Sequence, residues 1–138
     1  HWPNRRDLIS DAIEEHKPNW DFETSGDLGA DLTSYLEKMV ARLTSGPLPQ
    51  FFVTLIERAE HDAEFADMHC RMAEHRSQPI VAVLEAAISR GELPKDLDVP
   101  AAIAAINGPI FYRRLITREP LTDSFVATIV NGFLARFS

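Results

Sequence analysis

The stretch Leu121-Thr122-Asp123-Ser124-Phe125-Val126-Ala127-Thr128-Ile129-Val130-Asn131-Gly132-Phe133-Leu134-Ala135-Arg136-Phe137 decides the fold class. Leu121, Phe125, Ile129, Phe133 and Phe137 recur every four residues, and Val126, Val130 and Leu134 run beside them as a second stripe. That period is helical; a half-buried strand would alternate instead. A single stripe needs one packing partner, and this face is wider than a single stripe. Either half of it packs on the chain's own core and half on a second subunit, or the whole helix is buried in its own domain. Gly132 would let a partner helix come close.

The same period recurs back along the chain. Asn4 can cap a helix over residues 4–17 that carries Leu8, Ile9, Ala12 and Ile13 on one face. After a loop from Pro18 to Gly26, a second helix presents Leu28, Leu32, Leu36, Met39 or Val40, and Leu43, and Thr44-Ser45-Gly46-Pro47 ends it. A third carries Phe51, Phe52, Leu55, Ile56 and Ala59. A fourth, over about 63–90, carries Phe65, Met68, Met72, Ile80, Leu84 and Ile88, stops at Gly91, and is expected to kink at Pro79. Asp98 can cap a fifth helix reaching about Thr117, with Pro109 inside it. Seven of the nine prolines sit between these segments, where a missing N–H does least harm. The expected architecture is all-α, with about six helices.

Composition narrows the function classes. With 45% apolar and 25% charged residues the chain is an ordinary globular one rather than a disordered one. The single cysteine excludes an internal disulfide framework, which fits a reducing, cytoplasmic setting. Fourteen Lys and Arg against 21 Asp and Glu leave a formal net charge of −7, which argues against nucleic-acid binding by these 138 residues alone. The longest uncharged run, Val99 to Tyr112, falls short of the roughly 20 residues a membrane span requires. The chain opens on His1-Trp2 rather than on Met, so a fragment of a longer protein is expected.

No phosphate-binding glycine loop, nucleophile elbow or Cys-x-x-Cys pair occurs. His61, His69 and His75 stand eight and six residues apart, whereas a helical metal pair needs three or four. They are read as solvated or as isolated polar pocket groups, and no metal or cofactor is expected. Cys70 is read as a small buried cysteine rather than a reactive thiolate. Arg113, Arg114 and Arg118 form a solvated or interfacial face, too small a patch for nucleic acid. Nothing reads as an enzyme. Tyr35, Met39, Phe52, Leu55, Met68, Met72 and Phe111 are the candidates to line an apolar ligand cavity, the alternative being that they are simply core.

The opening His1-Trp2-Pro3-Asn4-Arg5-Arg6-Asp7-Leu8-Ile9 resembles the end of the recognition helix and the following turn in the TetR family of bacterial transcriptional regulators. In that family an aromatic residue after histidine closes the recognition helix, and a basic residue and a leucine open the next. Arg5 stands in place of the usual lysine and Leu8 holds the leucine position, whereas Arg6 departs from the usual acidic residue. Arg90-Gly91-Glu92-Leu93 with Asp96-Leu97-Asp98 is similar to a turn of one class of TetR carboxyl-terminal domains. Gly108-Pro109-Ile110-Phe111-Tyr112-Arg113-Arg114-Leu115 and Leu121-Thr122-Asp123-Ser124-Phe125-Val126 resemble the segments that follow it, in the same order.

The resemblance implies two parts. Residues 1–17 would be the tail of a DNA-binding domain and its connecting helix, and 18–138 an effector-binding and dimerisation domain. His1 and Arg5 would touch DNA, Arg5 through phosphate. The rest of the helix-turn-helix would precede His1. Phe111, Leu115, Phe125, Ile129, Phe133 and Phe137 would form a homodimer interface. The partners implied are a second copy, operator DNA and a hydrophobic small-molecule effector, with no membrane. The competing reading is an all-α protein-interaction module without DNA binding.

Overall fold

The computed structural model describes residues 23–137, so the helix expected over 4–17, and the DNA-contact expectations for His1 and Arg5, lie outside the described residues. Five α-helices follow one another: α1 (Leu28–Thr44), α2 (Leu48–Ala59), α3 (Ala63–Ser89), α4 (Val99–Phe111) and α5 (Asp123–Ala135). A π-helical segment, Tyr112–Thr117, continues directly from α4. The described residues contain no strand, and the all-α expectation holds.

Each boundary has a local cause. Asp27 Oδ1 accepts the Ala30 N–H at 3.0 Å and opens α1. Asp31, a buried charge on that helix, is stabilised because both its carboxylate oxygens accept the Ser25 N–H, at 2.9 and 3.1 Å. Gly46 takes a φ of +72°, the left-handed conformation that turns the chain out after α1. Asp62 Oδ1 accepts from Glu64 N–H before α3. At the other end of α3, Gly91 N–H bonds Ile88 C=O and Glu92 N–H bonds Ala87 C=O, the paired closure of a glycine-ended helix. Asp98 caps α4 through the Ala101 N–H, as its position predicts, and Thr122 caps α5 through the Phe125 N–H.

Pro109 lies inside α4, and the π-helical segment begins three residues later. Proline donates no hydrogen bond, and a break in the regular ladder favours a wider turn downstream. The expected fifth helix to Thr117 is therefore two geometries in succession. It stops at Arg118, a non-glycine residue held at a φ of 62°.

The described chain divides into two compact units, one of residues 45–78 and the other of 23–44 with 79–137. Helix α3 runs through both, and the boundary falls between Gln78 and Pro79. In the larger unit α1 packs on α5, and α4 packs on α5 as well as on the π-helical segment. Leu32, Leu36, Ile80, Val83, Leu84 and Ile110 of this unit are completely buried. Gly29 brings α1 close to α5: a Cβ there would meet Leu134 Cδ1 at 3.3 Å. In the smaller unit Leu55, Phe65, Met68 and Met72 form the core, with Phe51 packed against them. No helix among the described residues is long and apolar enough to cross a membrane.

Candidate functional site

The seven residues expected to line a ligand cavity fall into both units. Phe52, Leu55, Met68 and Met72 belong to the smaller one and Tyr35, Met39 and Phe111 to the larger. In the smaller unit the structure brings Leu55, Met68 and Met72 together, all at most 2% exposed. On α3, residues 65, 68, 69 and 72 share one side by helical spacing, and this places His69 beside the methionines. The His69 ring packs on Phe52, with centroids 5.8 Å apart and planes tilted by 42°. The Arg76 guanidinium covers the same Phe52 ring at 4.3 Å. His69 Nδ1 is buried and has no hydrogen-bonding partner. An unpaired buried polar atom costs about 1–3 kcal/mol. Burial first, and the Arg76 charge second, hold His69 below the ordinary histidine value, so the imidazole is neutral at pH 7.

Nearby in the same unit, Glu57, Arg58, His61, Asp62 and Phe65 line a cleft of about 360 Å³ where α2 gives way to α3. Arg58 lies 5.6 Å from the Phe65 ring there. Among the described residues no group of three or more His, Cys, Asp or Glu side chains could hold a metal ion. Cys70 corrects the sequence reading: it is exposed, not buried. It follows His69 by about 100° around α3, which carries it off the side that Met68 and Met72 bury.

In the larger unit the Tyr35 hydroxyl donates to Asn107 Oδ1 at 3.1 Å, joining α1 to α4. Asn107 had no signal in the sequence, because its partner lies 72 positions away. Of the three arginines after α4 read as a solvated or interfacial face, Arg118 is exposed and the other two are engaged within the fold. Arg114 is half-buried, and its Nε donates to Leu43 C=O at 2.8 Å, closing the carboxyl end of α1. Arg113 donates to Pro120 C=O at 3.2 Å and stands 3.7 Å over the Phe125 ring.

Of the expected interface residues, Ile129 and Phe133 are buried within the chain's own fold. Phe111, Leu115, Phe125 and Phe137 are half-buried. The Phe137 ring lies 5.1 Å from that of Phe133, tilted by 53°. The wide apolar face of α5 is thus largely consumed internally. Beyond the first-turn Pro100, Asp123 and Ser124, what α4 and α5 leave exposed is small: Ala101, Ala104, Ala105 and Gly108 on α4, and Ala127, Thr128, Asn131, Gly132 and Ala135 on α5. A Cβ added at Gly108 or Gly132 would meet nothing within 4 Å. Tyr112 at 57% and Ile116 at 67% exposure stand one turn apart just beyond α4.

The comparisons with known proteins place this all-α chain among transcription regulators. Residues 22–132 match the family described as tetracyclin repressor-like, C-terminal domain, and the chain belongs to that family. It is 30% identical over 135 residues to YdeS of Bacillus subtilis (strain 168), named an uncharacterized HTH-type transcriptional regulator, with 96% of this chain and 68% of YdeS covered. The crystal structure of the TetR family transcription regulator SCO0332 superposes with a TM-score of 0.76 and 28% identity. That match covers 91% of this chain and 68% of SCO0332. TetR family regulators bind DNA and form dimers.

Proposed function

We propose that these 138 residues are the effector-sensing and pairing part of a ligand-responsive, homodimeric transcriptional repressor. The single observation that carries the pairing is that α4 and α5 each expose mainly small residues, with Tyr112 and Ile116 exposed just beyond α4. Small residues let helices of two copies approach closely, and a two-fold interface uses the same patch twice. Phe125, Ile129 and Phe133 then act from behind, by holding α5 against its own core, rather than by reaching across. In this reading residues 1–17 connect a DNA-reading helix-turn-helix to the sensing domain of 18–138. The relatives support it, since a third of YdeS and of SCO0332 lies outside the matched region.

The effector is a largely apolar small molecule received among Phe52, Leu55, Met68 and Met72. Regulation is a shift between conformations that bind operator DNA differently, and the effector acts only through its unequal affinity for them. Two measurements test the reading. Sedimentation should give a dimer that Ile116→Asp or Gly132→Arg converts to a folded monomer; a wild-type monomer at micromolar concentration overturns the pairing. Fluorescence anisotropy of the full-length regulator on DNA upstream of its own gene should show binding that an apolar effector releases. A full-length protein without a basic helix-turn-helix sinks the DNA role.

A further inference from the structure

We infer that the π-helical segment Tyr112–Thr117 is a two-register switch, held in its wide form by the Arg114–Leu43 hydrogen bond, that links the carboxyl end of α1 to the exposed pair Tyr112 and Ile116. The link to pairing rests on the dimer reading above. The segment, Tyr-Arg-Arg-Leu-Ile-Thr, contains no glycine or proline, and its arginines and leucine are good α-helix formers. Pro109 upstream loosens the hydrogen-bond ladder but leaves either register open. A π turn is rare and is found most often at functional sites, so this one needs a cause outside its own sequence.

Two consecutive side chains supply that cause. Arg114 Nε donates to the Leu43 C=O at 2.8 Å, at the end of α1. Arg113 donates to the Pro120 C=O at 3.2 Å, stands 3.7 Å over the Phe125 ring and lies 3.9 Å from the Glu119 carboxylate. The segment is thus gripped by α1 on one hand and by the start of α5 on the other, and it stops at Arg118, strained at a φ of 62°. Losing the Arg114 bond frees the segment to take up α-helical bonding. That change passes one residue into the connection before α5 and turns Leu115 and Ile116 by about 100° around the helix axis. The surface that Tyr112 and Ile116 offer a second copy is altered with it, and the wide register is the pairing form. The chain leaves α1 through Thr44, Ser45 and Gly46, so a change of course at that exit acts on the Leu43 carbonyl and through it on the register.

Two variants test this, each read by NMR couplings across the backbone hydrogen bonds and by sedimentation equilibrium. Arg114→Met keeps the length of the side chain and removes the donor. Deleting Thr117 removes the surplus residue and leaves Arg114 and both exposed side chains in the chain. In the unmodified protein the couplings should join amide nitrogens of the segment to carbonyls five residues back, and in both variants to carbonyls four residues back. Both variants should also weaken the dimer about tenfold, a common size for coupling between two sites, although neither alters Tyr112 or Ile116. Couplings to the carbonyl five residues back that survive in Arg114→Met would overturn the switch. A change of register that leaves the dimer constant unmoved would overturn its link to pairing. An unmodified chain that stays monomeric, with the register still changing in Arg114→Met, supports the switch and breaks the pairing reading instead.

Discussion

The two units treat buried polar groups in opposite ways. In the larger one, polar side chains close the structure: Asp31 takes the Ser25 N–H, Tyr35 bonds Asn107, and Arg114 caps α1 at Leu43. In the smaller one, His69 Nδ1 is left unpaired among methionines, and Arg58 and Arg76 rest on aromatic rings. Fully partnered polar groups specify one arrangement, whereas an unpaired one leaves free energy that a new partner can release. The larger unit thus partners the buried polar groups named here, whereas the smaller one leaves His69 Nδ1 unsatisfied.

The contrast can be broken in order of expected effect. Leu36→Ala, at a completely buried position of the larger unit, should destabilise by about 3 kcal/mol in urea denaturation. Met68→Ala, the like truncation at an equally buried position of the smaller unit, should cost less, about 2 kcal/mol, because adaptable neighbours such as Met72 relax into the space. Comparable losses at the two positions would say that both cores are equally rigid. Next come two polar removals of opposite sign. Removing an unpaired group by His69→Leu should stabilise by about 1 kcal/mol, whereas Arg114→Ala should destabilise by about 1.5 kcal/mol, since it uncaps α1. The contrast fails if both changes shift the urea midpoint the same way.

The pH dependence is a smaller effect. His69 titrates lower in the folded protein than the ordinary 6.5, so the unfolded chain binds its proton more readily. Stability should be full above pH 6.5 and decline as pH falls through the folded value, and His69→Leu should flatten that part of the profile. An unchanged slope in the variant would assign the decline to other groups. The smallest change is expected at Arg118, whose left-handed φ of 62° strains an ordinary residue. Arg118→Gly relieves that strain at the cost of a freer unfolded chain, for a net gain of about 0.5 kcal/mol in thermal unfolding.

Much of this was legible beforehand. Asp98 and Gly91 mark helix ends through bonds to residues three to five positions away, and the four-residue recurrence from Leu121 to Phe137 marks a helix whatever it packs against. The stretch around α3 was harder. Nothing local distinguishes an exposed Cys70 from a buried one or shows that His69 Nδ1 lacks a partner. Both depend on which neighbouring helix covers each side of α3.

The carboxyl-terminal helix shows where the division lies. Its sequence by itself determined that it is helical and apolar over an unusually wide face, because period and hydrophobicity are properties of neighbouring residues. Only the tertiary structure decided that Ile129 and Phe133 are used up inside the chain and that the exposed remainder is small residues with Tyr112 and Ile116 nearby. The packing of α1 and α4 on α5 sets which part of the face is left over. Contacts such as Tyr35 with Asn107 and Arg114 with Leu43, 72 and 71 positions apart, fix α1 against α4 and its continuation, and no local pattern encodes them.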